Sequence, residues 1–384
     1  MSESWGEGAP AQPAGTGLRW LLAVLVAAAL SFTAIAVVLH GGADPGSAVV
    51  RASTQCSPAR LPGDIATSKV VNGSVSVGSA LRTYRLTLPA SYDGTKPVPL
   101  VILLHGTSGT IQSIEDYTGM VPAAGQRGYA VLTPQGLAAD DGTLPTHWTV
   151  PGFDPPGAPD DVAYVSGLVD TVTSAYCVDA SRVFATGISG GAAFATELAC
   201  RTDLLAGIAP VAGLNLVPPC QNAAPVTVLA IHGTGDALVA YDGVAADSAA
   251  TTAEDGTLPT DAATTTPEAS DPSASPTPDP TQPLRPFYNG AVRSDVARWA
   301  AAFGCDTATP GQPSTDVASE TYTGCRQDVT VALWTVEGGG HTWPGAAVVP
   351  EGVGTQTDTV SATQVILDAF DTTPSTGTTV RPTS

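Results

Sequence analysis

Residues 187–191 read Gly-Ile-Ser-Gly-Gly, a G-x-S-x-G pattern centred on Ser189. A serine hydroxyl is a weak nucleophile until a base takes its proton, and this pattern can hold such a serine on a sharp, exposed turn. With 41 Gly in 384 residues, composition alone yields about 0.3 such matches. The flanking residues lift it above accident. "RVFATG" reads as a strand and "GAAFATELAC" as a helix, which puts Ser189 on the turn between them. Gly187 and Gly191 leave room for close packing there, and the Gly190 N–H at the helix start is a candidate oxyanion donor.

A serine nucleophile needs a base and an acid to orient it. The five histidines are His40, His105, His147, His232 and His341. In the order serine, acid, histidine, only His341 can come last, in "VEGGGHTWPG" on a glycine-rich loop after a strand-like run. Asp236, in "LAIHGTGDALVAYDG", follows a buried-strand pattern and is the candidate acid, with Asp242 as the alternative. Its role would be to hold the His341 tautomer and stabilise the imidazolium. Asp160 and Asp161 precede the serine and read instead as caps of the helix that follows them. The Thr107 N–H in "HGTSGT" is the candidate second oxyanion donor, and His105 reads as structural. Trp148 and Trp343 are candidates to line an aromatic substrate cleft, the competing reading being core aromatics. No C-x-x-C or His/Cys cluster points to a metal, and no cofactor is implied.

The elements that must position these residues alternate. Residues 74–89 read as two strands around a Gly turn, and 98–106, 128–136, 181–187, 205–213, 225–233 and 328–338 as further strands. Helical patterns cover 160–176, 191–201, 292–304 and 361–370. Alternation of this kind means an α/β domain, a mostly parallel sheet with helices on both faces. One such domain spans residues 56–372. Residues 243–283, rich in Thr, Ser, Pro and acids, cannot bury enough apolar surface to fold and read as a disordered insert. Residues 1–17 and 373–384 read as flexible tails, and 40–55 as a linker.

Composition restricts the partners. The net charge of −20 argues against nucleic acid, and residues 242–286 alone contribute −7 from eight acids and Arg285. Within residues 18–39, the uncharged run 20–39 is as long as a bilayer core is thick, which favours an uncleaved anchor over a cleavable signal. Either way the bulk of the chain is expected outside the cytoplasm, with a membrane contact if the segment stays. All six cysteines follow that run. An even count in an exported chain indicates disulfides; of fifteen full pairings, Cys200–Cys220 and Cys305–Cys325 are favoured, leaving Cys56 with Cys177.

The segments "LHG", "DDVAYVSGLVD", "DASRVFATGISGGAAFATELAC", "IHGTGD…YDG", "GC…GC" and "GGGHTWPG", in that order, resemble the polyhydroxybutyrate depolymerase-like and feruloyl esterase-type family of exported α/β-hydrolases. The resemblance covers roughly residues 60–370. It implies a compact α/β-hydrolase fold without a large cap domain, and a triad of Ser189, Asp236 and His341. It also agrees with pairing Cys305 and Cys325. Gly190 departs from the family, which commonly has a polar residue after the serine, and the long insert between acid and histidine is a second departure. The expected activity is hydrolysis of a carboxylic ester on a polysaccharide, polyester or cell-envelope lipid. The alternatives are acyl transfer to a sugar or lipid alcohol on the same fold, and a non-catalytic, surface-anchored binding protein.

Overall fold

The computed structural model describes residues 69–138 apart from 79, residues 145–150, 158–244 and 288–376. The anchor or signal segment, Cys56 and nearly all of the low-complexity insert lie outside them. No helix among the described residues is long and apolar enough to cross a membrane.

Strands β1 (Val70–Val77), β2 (Ala80–Thr87), β3 (Val98–Leu104), β4 (Ala130–Pro134), β5 (Val178–Ile188), β6 (Gly207–Val211), β7 (Thr227–Gly233), β8 (Thr309–Ser314), β9 (Val317–Tyr322) and β10 (Val331–Val336) form one open sheet, in the order β1-β2-β4-β3-β5-β6-β7-β10-β9-β8. The six central strands, from β4 to β10 in that order, run parallel. An antiparallel hairpin closes each side, β1–β2 against β4 and β8–β9 against β10. Gly78, with φ 59°, supplies the left-handed turn of the first hairpin where the sequence predicts one.

Helices α1 (Ile111–Thr118), α2 (Met120–Gln126), α3 (Asp161–Ala175), α4 (Gly190–Arg201), α5 (Val292–Phe303) and α6 (Ala362–Thr372) cover the two faces. Central strands are apolar throughout because both of their faces are buried. β3 sends Leu100, Ile102 and Leu104 into a core with Val165, Phe194 and Trp299 of α3, α4 and α5. Its alternate residues, Val101 and Leu103, join Ile114, Ala124 and Phe370 of α1, α2 and α6. The α1–α2 pair and the β8–β9 hairpin have no counterpart among the sequence-derived elements.

Two disulfides form as the sequence favours, Cys200–Cys220 and Cys305–Cys325. Cys177 is also disulfide-bonded. The insert leaves and re-enters through a stitched stem: Val244 N–H donates to Asn289 O at 3.0 Å and Val292 N–H to Tyr241 O at 2.9 Å. Beyond α6 the expected flexible tail is still docked at Thr376, whose N–H donates to Ser181 O at 3.1 Å.

The two aspartates before α3 have different jobs. Asp160 caps the helix, accepting the Ala163 N–H at 2.9 Å. Asp161 does not cap; it is buried and forms an ion pair with Arg82 of β2 at 2.6 Å, a close contact rather than an aligned hydrogen bond. Burial raises the Asp161 carboxyl's pKa, opposed by Arg82 and by the Thr149 N–H. The guanidinium also lies 4.1 Å from the centre of the Tyr164 ring. Removing one partner of such a pair strands the other charge. Arg82→Ala is therefore expected to lower stability by about 3–5 kcal/mol in denaturant titrations. A loss under about 1 kcal/mol, the scale of an exposed pair, would refute this.

Candidate active site

The turn after β5 is tight because two glycines press on β3. A Cβ at Gly187 or at Gly191 would overlap the Leu104 carbonyl oxygen, so the motif's outer glycines are required by contact. Between them Ser189 sits at φ 57° and ψ −124°, a left-handed conformation that L side chains rarely adopt. Ser108 (φ 66°) and Ala212 (φ 51°), after the neighbouring strands β3 and β6, also have positive φ. Strain of this kind costs on the order of 1–3 kcal/mol per residue and collects at functional sites. Ser189→Gly is accordingly expected to melt higher than Ser189→Ala, by roughly 1 kcal/mol of stability. Thermal melts of the two variants check this, and a lower Gly midpoint would contradict a strained elbow.

The loop after β3 is seated on this turn. A Cβ built on Gly106 would lie 3.4 Å from Ser189 Cβ, and one built on Gly190 would lie 3.5 Å from Thr107 N. The two candidate oxyanion donors, Thr107 and Gly190, are thus side by side. His105, fully buried, holds the loop. Its Nε2 accepts the Gly136 N–H at 2.9 Å, so Nδ1 carries the proton and donates to Gly106 O at 2.8 Å. Burial lowers its pKa and favours the neutral ring. This is a structural role, as its strand-end position implies.

Asp236 and His341 meet directly. His341 Nδ1 lies 2.7 Å from Asp236 Oδ2, and Asp236 Oδ1 accepts the N–H groups of Leu238 and Val239 at 2.9 and 2.8 Å. Burial alone would raise the Asp236 pKa; the nearby His232 and His341 rings and the hydrogen bond from the Val239 N–H outweigh it and hold the carboxyl far below its ordinary value. An ionised Asp236 requires the proton on His341 Nδ1, which leaves Nε2 as the basic atom. The glycines before His341 allow the loops to touch: Gly235 N–H donates to Gly339 O at 2.8 Å, and a Cβ at Gly233 would overlap that same carbonyl. The His341 N–H is anchored to Val353 O at 2.6 Å. Asp242, the alternative acid, is exposed and makes no hydrogen bond to His341.

Ser189, Asp236 and His341 follow β5, β7 and β10, parallel strands whose C-terminal ends share one sheet edge. Among the described residues Ser189 Oγ has no hydrogen-bond partner, and such contacts often tighten only when substrate binds. His232, which chain order discards as the base, lies beside the acid. Its Nε2–H donates to Val239 O at 2.9 Å, which fastens the loop carrying Asp236, and Nε2 lies 3.4 Å from Asp236 Oδ2. The i, i+4 spacing of His232 and Asp236 across the strand end is the signal that could have found it.

The expected aromatic cleft is corrected. Trp148 is 2% exposed and stacks on Phe194 at 4.8 Å, with its Nε1–H given to His105 O. Trp343 has no exposed surface, and its Nε1–H donates to Thr363 Oγ1 at 2.9 Å. Rings this buried present no face to a substrate. Both are core residues that support the loops carrying Thr107 and His341.

Comparison with known proteins agrees with this architecture. The model of the family "Esterase PHB depolymerase" matches residues 82–243. The putative esterase NocK of Nocardia uniformis subsp. tsuyamanensis is 31% identical over 278 residues, covering 71% of this chain and 73% of that protein. Feruloyl esterase B of Piromyces equi is 26% identical over 259 residues, covering 66% of this chain but 41% of its own length. Among solved structures, the acetyl xylan esterase from Aspergillus awamori matches with a TM-score of 0.50 at 13% identity, covering 79% of this chain and 98% of that one, a likeness of fold. The chain belongs to the PHB depolymerase-like esterase family, α/β-hydrolase-fold serine hydrolases that act on carboxylic esters.

Proposed function

We propose that this protein is an exported esterase in which Ser189 attacks the ester carbonyl as His341 Nε2 takes its proton. Gly190 and Thr107 N–H groups stabilise the oxyanion, His341 returns the proton to the leaving alcohol, and water then releases the acyl group. The single observation that carries this reading is the 2.7 Å contact between Asp236 and His341, on the sheet edge that also holds the strained Ser189 turn. The substrate class is a feruloyl-type ester on a polysaccharide, supported by relatives that are named feruloyl esterases. Disulfides at Cys200–Cys220 and Cys305–Cys325 support an oxidising compartment. Residues 18–39 act as the export signal or anchor, and residues 56–372 as the catalytic domain.

A fluorophosphonate probe tests the nucleophile. Incubated with the full chain, it is expected to label Ser189 alone, identified by peptide mass, and to abolish hydrolysis of p-nitrophenyl acetate and methyl ferulate together. A protein that neither labels nor turns over either ester would sink the proposal. Hydrolysis of p-nitrophenyl acetate without methyl ferulate would sink the substrate class alone.

A further inference from the structure

We propose that the side-chain hydroxyl of Thr107 is a third oxyanion donor, beside the N–H groups of Thr107 and Gly190. This rests on the reading of Ser189 as nucleophile. A Cβ built on Gly190 would stand 3.0 Å from Thr107 Oγ1, closer than the 3.5 Å to Thr107 N. The hydroxyl therefore borders the first residue of α4, where the elbow's own N–H stabilises charge. That spacing is tighter than a side chain normally accepts. Glycine at 190, the position where the chain departs from the family's polar residue, keeps the space open.

The rest of the loop is committed to holding itself in place. Ser108 N–H donates to Thr146 O at 2.7 Å, Gly109 N–H to Gly106 O at 2.9 Å, and Thr146 Oγ1 to Gly109 O at 2.8 Å. Thr107 is exposed, and among the described residues neither its N–H nor its hydroxyl has a hydrogen-bond partner. Two donors on one residue are thus left beside the elbow without a partner among the described residues. When the carbonyl becomes tetrahedral, its oxygen gains charge, and a hydroxyl donating to an alkoxide binds more strongly than to a neutral carbonyl. The gain falls in the transition state and so acts on kcat. No bond to Thr107 forms or breaks, and its proton stays on Oγ1.

The test compares Thr107→Val, Thr107→Ser and the unaltered full chain on p-nitrophenyl acetate, with melting midpoints and fluorophosphonate labelling of Ser189. Val keeps the shape and removes the donor. The expected result is a kcat lower by on the order of 10²-fold for Val, with KM and melting midpoint unchanged and most of the rate restored by Ser. Val with unaltered kcat, or a loss confined to KM, would overturn the proposal while Ser189 labelling leaves the nucleophile standing. Absence of labelling in the unaltered chain would overturn the nucleophile reading and this inference with it.

Discussion

Ser189→Ala is expected to lower kcat by about 10⁵–10⁶-fold, and His341→Ala by a similar factor, on any ester the protein hydrolyses. The double variant should be no slower than either single one. The physical reason is that hydroxyl and imidazole act as one unit: without the base the serine keeps its proton, and without the serine the base has nothing to activate. On the proposed mechanism the residual rate comes from the Thr107 and Gly190 N–H groups, which both variants retain. Steady-state kinetics of the three variants decide the matter. Additive losses, with the double variant slower by the product of the single factors, would mean the two residues act in separate steps. Folding does not confuse the outcome for Ser189→Ala, because among the described residues the hydroxyl it removes has no hydrogen bond.

Asp236→Asn is expected to cost about 10⁴-fold in kcat, more than its near-identical shape suggests. The direction follows from which oxygen is committed. Asp236 Oδ1 accepts two backbone N–H groups, from Leu238 and Val239, so an Asn must place its carbonyl oxygen there. Its NH₂ then faces His341 in place of Oδ2. A donor at that point forces Nδ1 to accept and moves the imidazole proton to Nε2, the atom that must receive the serine proton. His341 becomes the wrong tautomer without leaving its place. A variant retaining over about a tenth of the kcat would show that Asp236 does not set the tautomer.

The same substitution has a signature in pH. Hydrogen bonds to Asp236 depress its folded pKa, so the stability they contribute is fully present above the unfolded carboxylate value of about 4. It is lost as pH falls toward the folded value. The gap in melting midpoint between unaltered protein and Asp236→Asn should therefore shrink below about pH 4. A gap that widens on acidification would contradict an ionised, hydrogen-bonded Asp236.

Much of this protein was readable from its residues because the relevant signals are local. Buried parallel strands such as Val98–Leu104 and Thr227–Gly233 are unbroken apolar runs, since the sheet is covered on both faces. The serine turn is written in five consecutive residues, and chain order singles out His341. The edge hairpin was not readable in this way. Its strand β8, Thr309–Ser314, contains two prolines and mostly exposed side chains, and it pairs only because β9 offers a partner at the sheet's rim.

Other assignments depended on what each side chain meets. Trp148 and Trp343 sit beside promising motifs, yet whether a ring faces solvent or Phe194 depends on helices distant in sequence. Asp161 looks like a cap until Arg82, 79 positions earlier, is folded against it. His232 is excluded as the base by order alone, and only the fold sets it beside Asp236 at the end of β7. By itself the sequence determined the sheet-and-helix alternation, the serine turn and the order of acid and base, all carried by neighbours in the chain or by elimination. Only the tertiary structure decided which aspartate pairs with which base, which tryptophans are core and which donors stand free at the elbow. Those depend on contacts between strands and loops far apart in the chain, which local spacing does not encode.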